Sequence, residues 1–189
     1  KDDVESWSWD SKNIYFTSNQ NNNFGSFKIA LDGETPQPLF TNYFNTTNGL
    51  VETPSGEYIF TNSTESANQV ARKRYKGENN PDLLAYNPKT KAFKQYTDYR
   101  GKDFNPTVDQ KGIIYFISDE NNGEYNLYKI ENGKKEALTA FDTSIKKPFV
   151  AANGSKVIFE KDYQLFVYDV NTKTSNPVTI NVNTNKIID

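Results

Sequence analysis

The feature that most constrains this chain is a short apolar run that recurs four times along it. Each run ends in phenylalanine, and the four runs are Ile14–Phe16, Tyr58–Phe60, Ile113–Phe116 and Val157–Phe159. The closing phenylalanines are about 44, 56 and 43 residues apart, near the period of roughly 40–50 residues expected for four-stranded propeller blades. This spacing predicts four successive units built on one plan.

The residues around each run follow the same order in every unit. Turn residues precede the run, as Asp109–Gly112 do in the third unit, and this combination is typical of a buried strand that follows a tight hairpin. A strand of alternating apolar and polar residues comes next, such as Tyr125–Ile130, then a polar turn and a last short strand. No segment shows a sustained helical period. We therefore predict an all-β fold, a β-propeller of about four blades of four-stranded antiparallel sheet.

The predicted blades span approximately residues 4–43, 44–99, 100–141 and 142–180, so the whole chain, 1–189, is expected to be one propeller fragment. The second blade is the longest because an insertion separates two of its inner strands. Four blades are few for a closed propeller, which typically has 4–8, and open sheet edges invite aggregation. We therefore expect that blades are missing at one end, and a small closed ring of four is the alternative.

Composition excludes several kinds of chemistry within this chain. The chain has no His and no Cys, so a Ser-His-Asp triad, a Cys-His dyad and a His-ligated zinc site cannot form from its residues. No spacing singles out a Ser-Lys dyad or a carboxylate pair, so we predict no catalytic residue and no cofactor here. The net charge of -2 gives no general reason to expect nucleic-acid binding.

Localisation is less constrained by the sequence. No apolar run approaches the roughly 20 residues that a membrane-spanning helix needs, and the chain begins at Lys1 without Met. The composition leaves the compartment open, with a slight preference for a periplasmic or secreted location over a cytoplasmic one.

A basic stretch in the second unit is the principal candidate binding site. It comprises Arg72, Lys73, Arg74 and Lys76, and Arg100 is the only other arginine in the chain. Guanidinium groups form bidentate pairs with carboxylates, so this cluster could hold the C-terminus of a peptide or the acidic face of a partner. The alternative is a long, solvated loop between strands.

Two further patterns are candidate sites. Asp119, Asn121 and Gly123 alternate like the start of a calcium loop, but no bidentate Glu follows at the required spacing, so no metal site is predicted. Trp7 and Trp9 lie two residues apart in an extended segment and should face one side. Packing between adjacent blades is the favoured interpretation for these indoles, and stacking on a ligand such as a sugar is the alternative.

The repeat resembles the one shared by tricorn proteases and the Tol-system periplasmic propeller. The segments that carry this resemblance are Asp10–Ser18, Val108–Asp119, Tyr125–Tyr128 and Ala137–Thr139. Three further stretches are similar to the first propeller of tricorn-type serine proteases in particular, namely Arg72–Gly77, Asn80–Tyr86 and Lys89–Asp98. The final unit, with Gly154–Glu160 and Leu165–Asp169, looks like the closing blade of that propeller.

This resemblance implies that the chain covers about the last four blades of a six-bladed ring. In that family the catalytic Ser and His lie far beyond the propellers, so an accessory role is implied: a ring beside the proteolytic chamber that filters or binds peptides. The implied partners are peptides or a protein, the remaining domains of a larger chain, and other copies of the parent protein. The alternatives are a stand-alone or Tol-like propeller that binds a protein, and a propeller attached to a prolyl-oligopeptidase-type hydrolase.

Overall fold

The computed structural model describes residues 1–20, 24–33, 35–40, 46–66 and 71–181. Within these residues the chain forms sixteen β-strands and one short 3-10 helix, Thr64–Ser66, and no α-helix. The strands β1 to β16 are, in order, Asp2–Trp7, Asn13–Ser18, Gly25–Ala30, Gln37–Pro38, Asn48–Glu52, Tyr58–Thr61, Leu83–Asn87, Ala92–Gln95, Asp103–Val108, Ile114–Ser118, Asn126–Glu131, Lys134–Ala137, Ile145–Val150, Lys156–Lys161, Gln164–Asp169 and Thr174–Pro177.

The strands form four antiparallel sheets of four strands, each made of consecutive strands in sequence order. We call them the first (β1–β4), second (β5–β8), third (β9–β12) and fourth (β13–β16) sheets. They are arranged as propeller blades, which confirms the predicted fold class. The predicted boundary between the first two blades, at residues 43 and 44, lies outside the described residues.

The core lies between successive sheets. On β10 the side chains of Tyr115 and Ile117 pack in a cluster with the fourth sheet, whereas Ile114 and Phe116 pack in a cluster with the second sheet. Because strand side chains alternate between faces, a strand covered on both faces is apolar at every position. This is why the run of the third sheet is continuous rather than alternating.

The first strand of each sheet lies innermost, and these four strands contact one another in the order β1, β5, β9, β13. Each has a register shift in its pairing with the second strand. The extra residue bends the strand and increases its twist. The bulges in β5, β9 and β13 place Gly49, Asn105 and Lys147 in the left-handed backbone region, with φ of 64°, 52° and 48°.

Candidate functional site

The four innermost strands line a central cavity of about 830 Å³. Residues from all four strands line it, together with Trp9 and with Ser66 of the 3-10 helix. The innermost strands are also edge strands of their sheets, and an edge strand has unpaired backbone N–H and C=O groups along one side. The cavity therefore offers both apolar side chains and backbone hydrogen-bonding groups.

Most charged side chains of the cavity wall have partners. Glu5 accepts a hydrogen bond of 2.7 Å from the Thr17 hydroxyl, and burial raises the pKa of Glu5. The Lys146 ammonium lies 3.3 Å from Glu160 Oε1. Among the lining residues that the structure describes, Lys147 is exposed and has no carboxylate partner.

Both tryptophans of the chain line this cavity, but their environments differ. Trp9 follows β1 and donates its indole N–H to the Glu52 carbonyl at 2.7 Å. It therefore links the first two sheets, in agreement with the interpretation that it packs between adjacent blades. Trp7 is 56% exposed. It pairs with Ile14, whereas the adjacent Tyr15 faces the second sheet, so Trp7 lies on the face of the first sheet that has no neighbouring sheet among the described residues. Packing between blades therefore stays a prediction for it.

The basic segment, residues 72–76, lies between β6 and β7 and is anchored by buried carboxylates. Arg72 donates to both carboxylate oxygens of Glu65, with its Nε 3.2 Å from Oε2. The fully buried ammonium of Lys102 lies 3.0 Å from the same Oε2. Burial opposes the charge on Glu65, but the hydrogen bonds from Arg72 and Lys102 outweigh it and lower its pKa.

A second carboxylate ties the segment to the third and fourth sheets. Glu124, in the β10–β11 loop, accepts hydrogen bonds from Lys73 Nζ at 2.6 Å and from an Arg74 guanidinium nitrogen at 3.1 Å. Ser144, just before β13, donates to Glu124 at 2.6 Å. The hydrogen bond from Lys73 is the main reason that the pKa of Glu124 is lowered, with Ser144 next. The segment therefore bridges three sheets and is not simply a solvated loop.

Positive charge remains in excess after this pairing. Four cations share two carboxylates, and the Arg72 and Arg74 side chains are still 50% and 67% exposed. The Arg72 guanidinium stacks 4.0 Å from the centre of the Tyr75 ring. Lys76 lies 5.8 Å from the Tyr99 ring centre and has no carboxylate partner among the described residues. The exposed N–H groups could donate hydrogen bonds to a further carboxylate.

Two residues of the calcium-like pattern have structural roles. Asp119 Oδ1 accepts the backbone N–H of Lys102 at 2.9 Å, and Gly123 adopts a φ of 79°. In the part of the chain that the structure describes, no three acidic side chains lie close enough together to hold a metal ion. The same residues include no helix with the length and apolar character to cross a membrane.

Sequence reasoning missed the partners of the basic segment and the residues of the bulges. Glu65 lies in the short 3-10 helix and Glu124 in the β10–β11 loop, and nothing in their local sequence indicates a buried ion pair. Two of the bulges have a recognisable sequence pattern. A polar residue precedes proline in both Asn105-Pro106 and Lys147-Pro148, and the two pairs occupy equivalent register positions.

Four radially arranged antiparallel sheets around a central cavity define the class of this protein as a β-propeller. Its sequence places it more closely. The family model of the tricorn protease N-terminal beta propeller domain matches residues 1–174, and the chain belongs to this family. Among curated protein sequences none matches the chain.

Solved structures share the fold at low sequence identity. The tricorn protease aligns with a TM-score of 0.77 at 18% identity over 97% of this chain and 18% of its own. TolB from Acinetobacter baumannii aligns with a TM-score of 0.72 at 21% identity, over 94% of this chain and 43% of its own. A putative TolB from Agrobacterium tumefaciens gives 0.74 at 15% identity, over 90% and 62%. The chain thus spans less than two thirds of each of these proteins.

Proposed function

We propose that this chain is a non-catalytic propeller region of a tricorn-like serine peptidase, which binds or gates peptides beside the proteolytic chamber. Family membership supports this assignment. The absence of His and Cys from the sequence fits a role in which other parts of the parent protein supply the chemistry.

The observation that carries the proposal is the anchored basic segment with its surplus of exposed donors. Glu65 and Glu124 hold the side chains of the segment in ion pairs, so little side-chain order has to be created when a ligand binds. Arg72 and Arg74 are largely exposed and offer the forked geometry that matches a carboxylate. The ligand we assign to this segment is the C-terminal carboxylate of a peptide.

We also propose that further blades complete the ring, with six in total. Val4 and Phe149 are 73% and 59% exposed, and both lie on innermost strands. On β14, Ile158 is 36% exposed while its neighbours Val157 and Phe159 are buried against the third sheet. The outer faces of the first and fourth sheets thus have the apolar character of blade interfaces, and additional blades would cover them.

The carboxylate assignment is tested with two pentapeptides of sequence Ala-Phe-Gln-Phe-Ala, which has no charged side chain; both are N-acetylated, one with a free C-terminal carboxylate and the other amidated. Calorimetric titration should show tighter binding of the free acid. The variant Arg72→Gln/Arg74→Gln should weaken binding of the free acid by at least about tenfold, because a hydrogen bond to a charged group contributes roughly 1.5–3 kcal/mol. Binding of the amide should be unchanged.

Lys89→Gln is the matched control, because it removes a positive charge from the exposed β7–β8 turn and should leave both affinities as they are. Equal affinity of the acid and the amide for the wild-type protein would contradict the assignment of the basic segment.

A stand-alone or TolB-like propeller that binds a protein partner is the second candidate. The similarity to two TolB structures in fold supports it. The two candidates differ in the size of the intact protein. A mass that leaves room for a second propeller and a catalytic domain supports the peptidase, whereas a mass close to one propeller supports the binding module.

A further inference from the structure

The two carboxylates that anchor the basic segment are each bound by one arginine and one lysine. The two sets are Glu65 with Arg72 and Lys102, and Glu124 with Arg74 and Lys73. In each set the lysine is the less exposed of the two cations and the arginine is at least half-exposed. One cation is enough to balance one carboxylate, so each set has one positive charge in excess, on the cation that a ligand can reach.

The set at Glu65 is the more deeply buried one. Lys102 lies just before β9 and is completely buried. Its ammonium lies 3.0 Å from Glu65 Oε2 and donates to the Glu65 backbone carbonyl at 3.1 Å. A buried carboxylate without any cation is strongly unfavourable, so Glu65 has to keep one of its two partners. Lys102 meets this requirement from inside the protein, where it is out of reach of a ligand.

The guanidinium of Arg72 is oriented for a second partner. It stacks on the ring of Tyr75, 4.0 Å from the ring centre, which fixes the plane of the group. A guanidinium has five N–H donors, and Glu65 accepts hydrogen bonds from two of its nitrogens. Because the side chain of Arg72 is half-exposed, its remaining donors can reach a carboxylate from solvent.

We infer that Lys102 is a positioning residue for peptide binding: it neutralises the buried Glu65, and the positive charge of Arg72 thereby stays available to the C-terminal carboxylate of the ligand. This inference rests on the proposed function of the basic segment and deepens it, because it gives a role to a residue outside that segment. Both cations lie in connections of the second and third sheets, away from the outer faces of the first and fourth sheets where further blades would pack.

The test compares how strongly each variant prefers a free C-terminal carboxylate. This preference is the ratio of the dissociation constants of the amidated and the free-acid N-acetylated Ala-Phe-Gln-Phe-Ala, measured by calorimetry on protein that circular dichroism shows to be folded. A purely structural effect weakens binding of both peptides alike and leaves the ratio unchanged. Lys102→Met should lower the ratio about threefold to fivefold, the effect of one partly exposed ion pair, because Glu65 then takes the whole charge of Arg72. Arg72→Gln should lower it to the same extent.

A double variant tests the role of Glu65 as the internal competitor. Lys102→Met/Glu65→Leu removes this carboxylate together with its buried cation, so it should regain the wild-type ratio. Since neither charge is left buried, it should also fold where Lys102→Met does not. Adding Arg72→Gln to the double variant should lower the ratio again, which would assign the regained preference to Arg72.

Lys135→Met is the matched control. Lys135 belongs to β12, and its ammonium lies 2.8 Å from the buried carboxylate of Asp103. Its removal also takes one positive charge and one ion pair from the protein, but not from the basic segment. The ratio should therefore stay at the wild-type value even if this variant is less stable.

The inference is overturned if Lys102→Met keeps the wild-type ratio, or if Lys135→Met lowers the ratio as much as Lys102→Met does. A low ratio in Lys102→Met/Glu65→Leu would overturn it as well, since Arg72 has no internal competitor there. Equal binding of both peptides to the wild-type protein has a different meaning, because it contradicts the proposed function of the basic segment and the inference falls with it.

Discussion

The Lys102 ammonium lies 3.0 Å from Glu65 Oε2, and both side chains are almost completely buried beneath the basic segment. Lys102 also donates to the backbone carbonyl of Glu65 at 3.1 Å. Burial lowers the pKa of Lys102, and its hydrogen bond to Glu65 opposes that shift. This ion pair joins the insertion of the second sheet to the residue just before β9, so it connects the candidate site to the fold.

Replacing one member of this pair should therefore destabilise the protein. Lys102→Met should lower the free energy of unfolding by about 3–5 kcal/mol, because it removes one of two cations from a buried carboxylate. Urea denaturation measures the change. The double variant Lys102→Met/Glu65→Leu should recover part of the loss, since neither charge then remains buried. A double variant less stable than Lys102→Met would contradict the explanation.

Stability should depend on pH through Asp82 at the junction of the second and third sheets. Burial raises the pKa of Asp82 to about 6, with Asp103 and Asp98 acting in the same direction and Thr97 and Lys135 opposing. A raised pKa means that the folded protein keeps a proton that the unfolded chain loses near pH 4. The contribution of Asp82 to the free energy of unfolding is fully present below about pH 4 and is lost as the pH rises through 6. It amounts to on the order of 2–3 kcal/mol.

Asp82→Asn should flatten that part of the profile. Other carboxylates titrate in the same range, so the measurement is the difference between wild type and variant in urea denaturation at pH 4, 5, 6 and 7.5. The wild type should lose stability relative to the variant across this series. A difference that is constant with pH would show that Asp82 keeps its ordinary pKa.

Two glycines of equivalent turns should respond unequally to substitution. Gly112 and Gly154 close the turns between the first two strands of the third and fourth sheets, with φ of 79° and 72°. A Cβ on Gly112 would meet nothing within 4 Å, whereas one on Gly154 would lie 2.4 Å from a carboxylate oxygen of Asp109. Asp109 is itself fixed by hydrogen bonds from the N–H groups of Lys111 and Ile113.

Gly112→Ala should therefore cost about 1 kcal/mol through backbone strain alone. Gly154→Ala should cost at least about 1 kcal/mol more, because the turn of the fourth sheet must also move away from Asp109. Thermal unfolding of the two variants side by side gives the comparison. Equal losses would mean that the contact between neighbouring turns contributes nothing.

The anchoring of the basic segment can be tested by proteolysis. Trypsin cleaves after lysine and arginine, and Glu124 holds Lys73 and Arg74 in place. Glu124→Gln should weaken both ion pairs and speed cleavage in the basic segment several-fold, with little change in global stability, because local opening controls cleavage there. Glu136→Gln, at a more exposed carboxylate of β12, is the control and should leave the cleavage rate unchanged. Cleavage at the same rate in Glu124→Gln would show that Glu124 does not order the segment.

Much of the fold could be predicted because its signals are local. The runs that end in Phe60 and Phe116 are apolar at every position because sheets cover both of their faces, and the turns before all four runs carry their own residue preferences. The innermost strands were harder to locate. Asp103–Val108 and Ile145–Val150 are interrupted by bulges, which break the alternation on which strand prediction depends.

The candidate site was predicted only in part. Arginines close together, such as Arg72 and Arg74, are visible in any sequence, but their fixation by Glu65 and Glu124 depends on loops that meet only after the sheets have packed. The exposure of Trp7 likewise depends on which face of β1 lacks a neighbouring sheet.

The sequence by itself determined the repeat, the strand-rich core and the absence of histidine and cysteine chemistry, because each follows from residue types and their spacing along the chain. Tertiary structure alone decided which cations stay free. Lys146 and Lys147 are neighbours in sequence, yet Glu160 lies beside the first and no carboxylate of the described residues lies beside the second. Pairing in space is set by how the strands are registered and how the sheets are arranged, and an ion pair forms only where these bring opposite charges together.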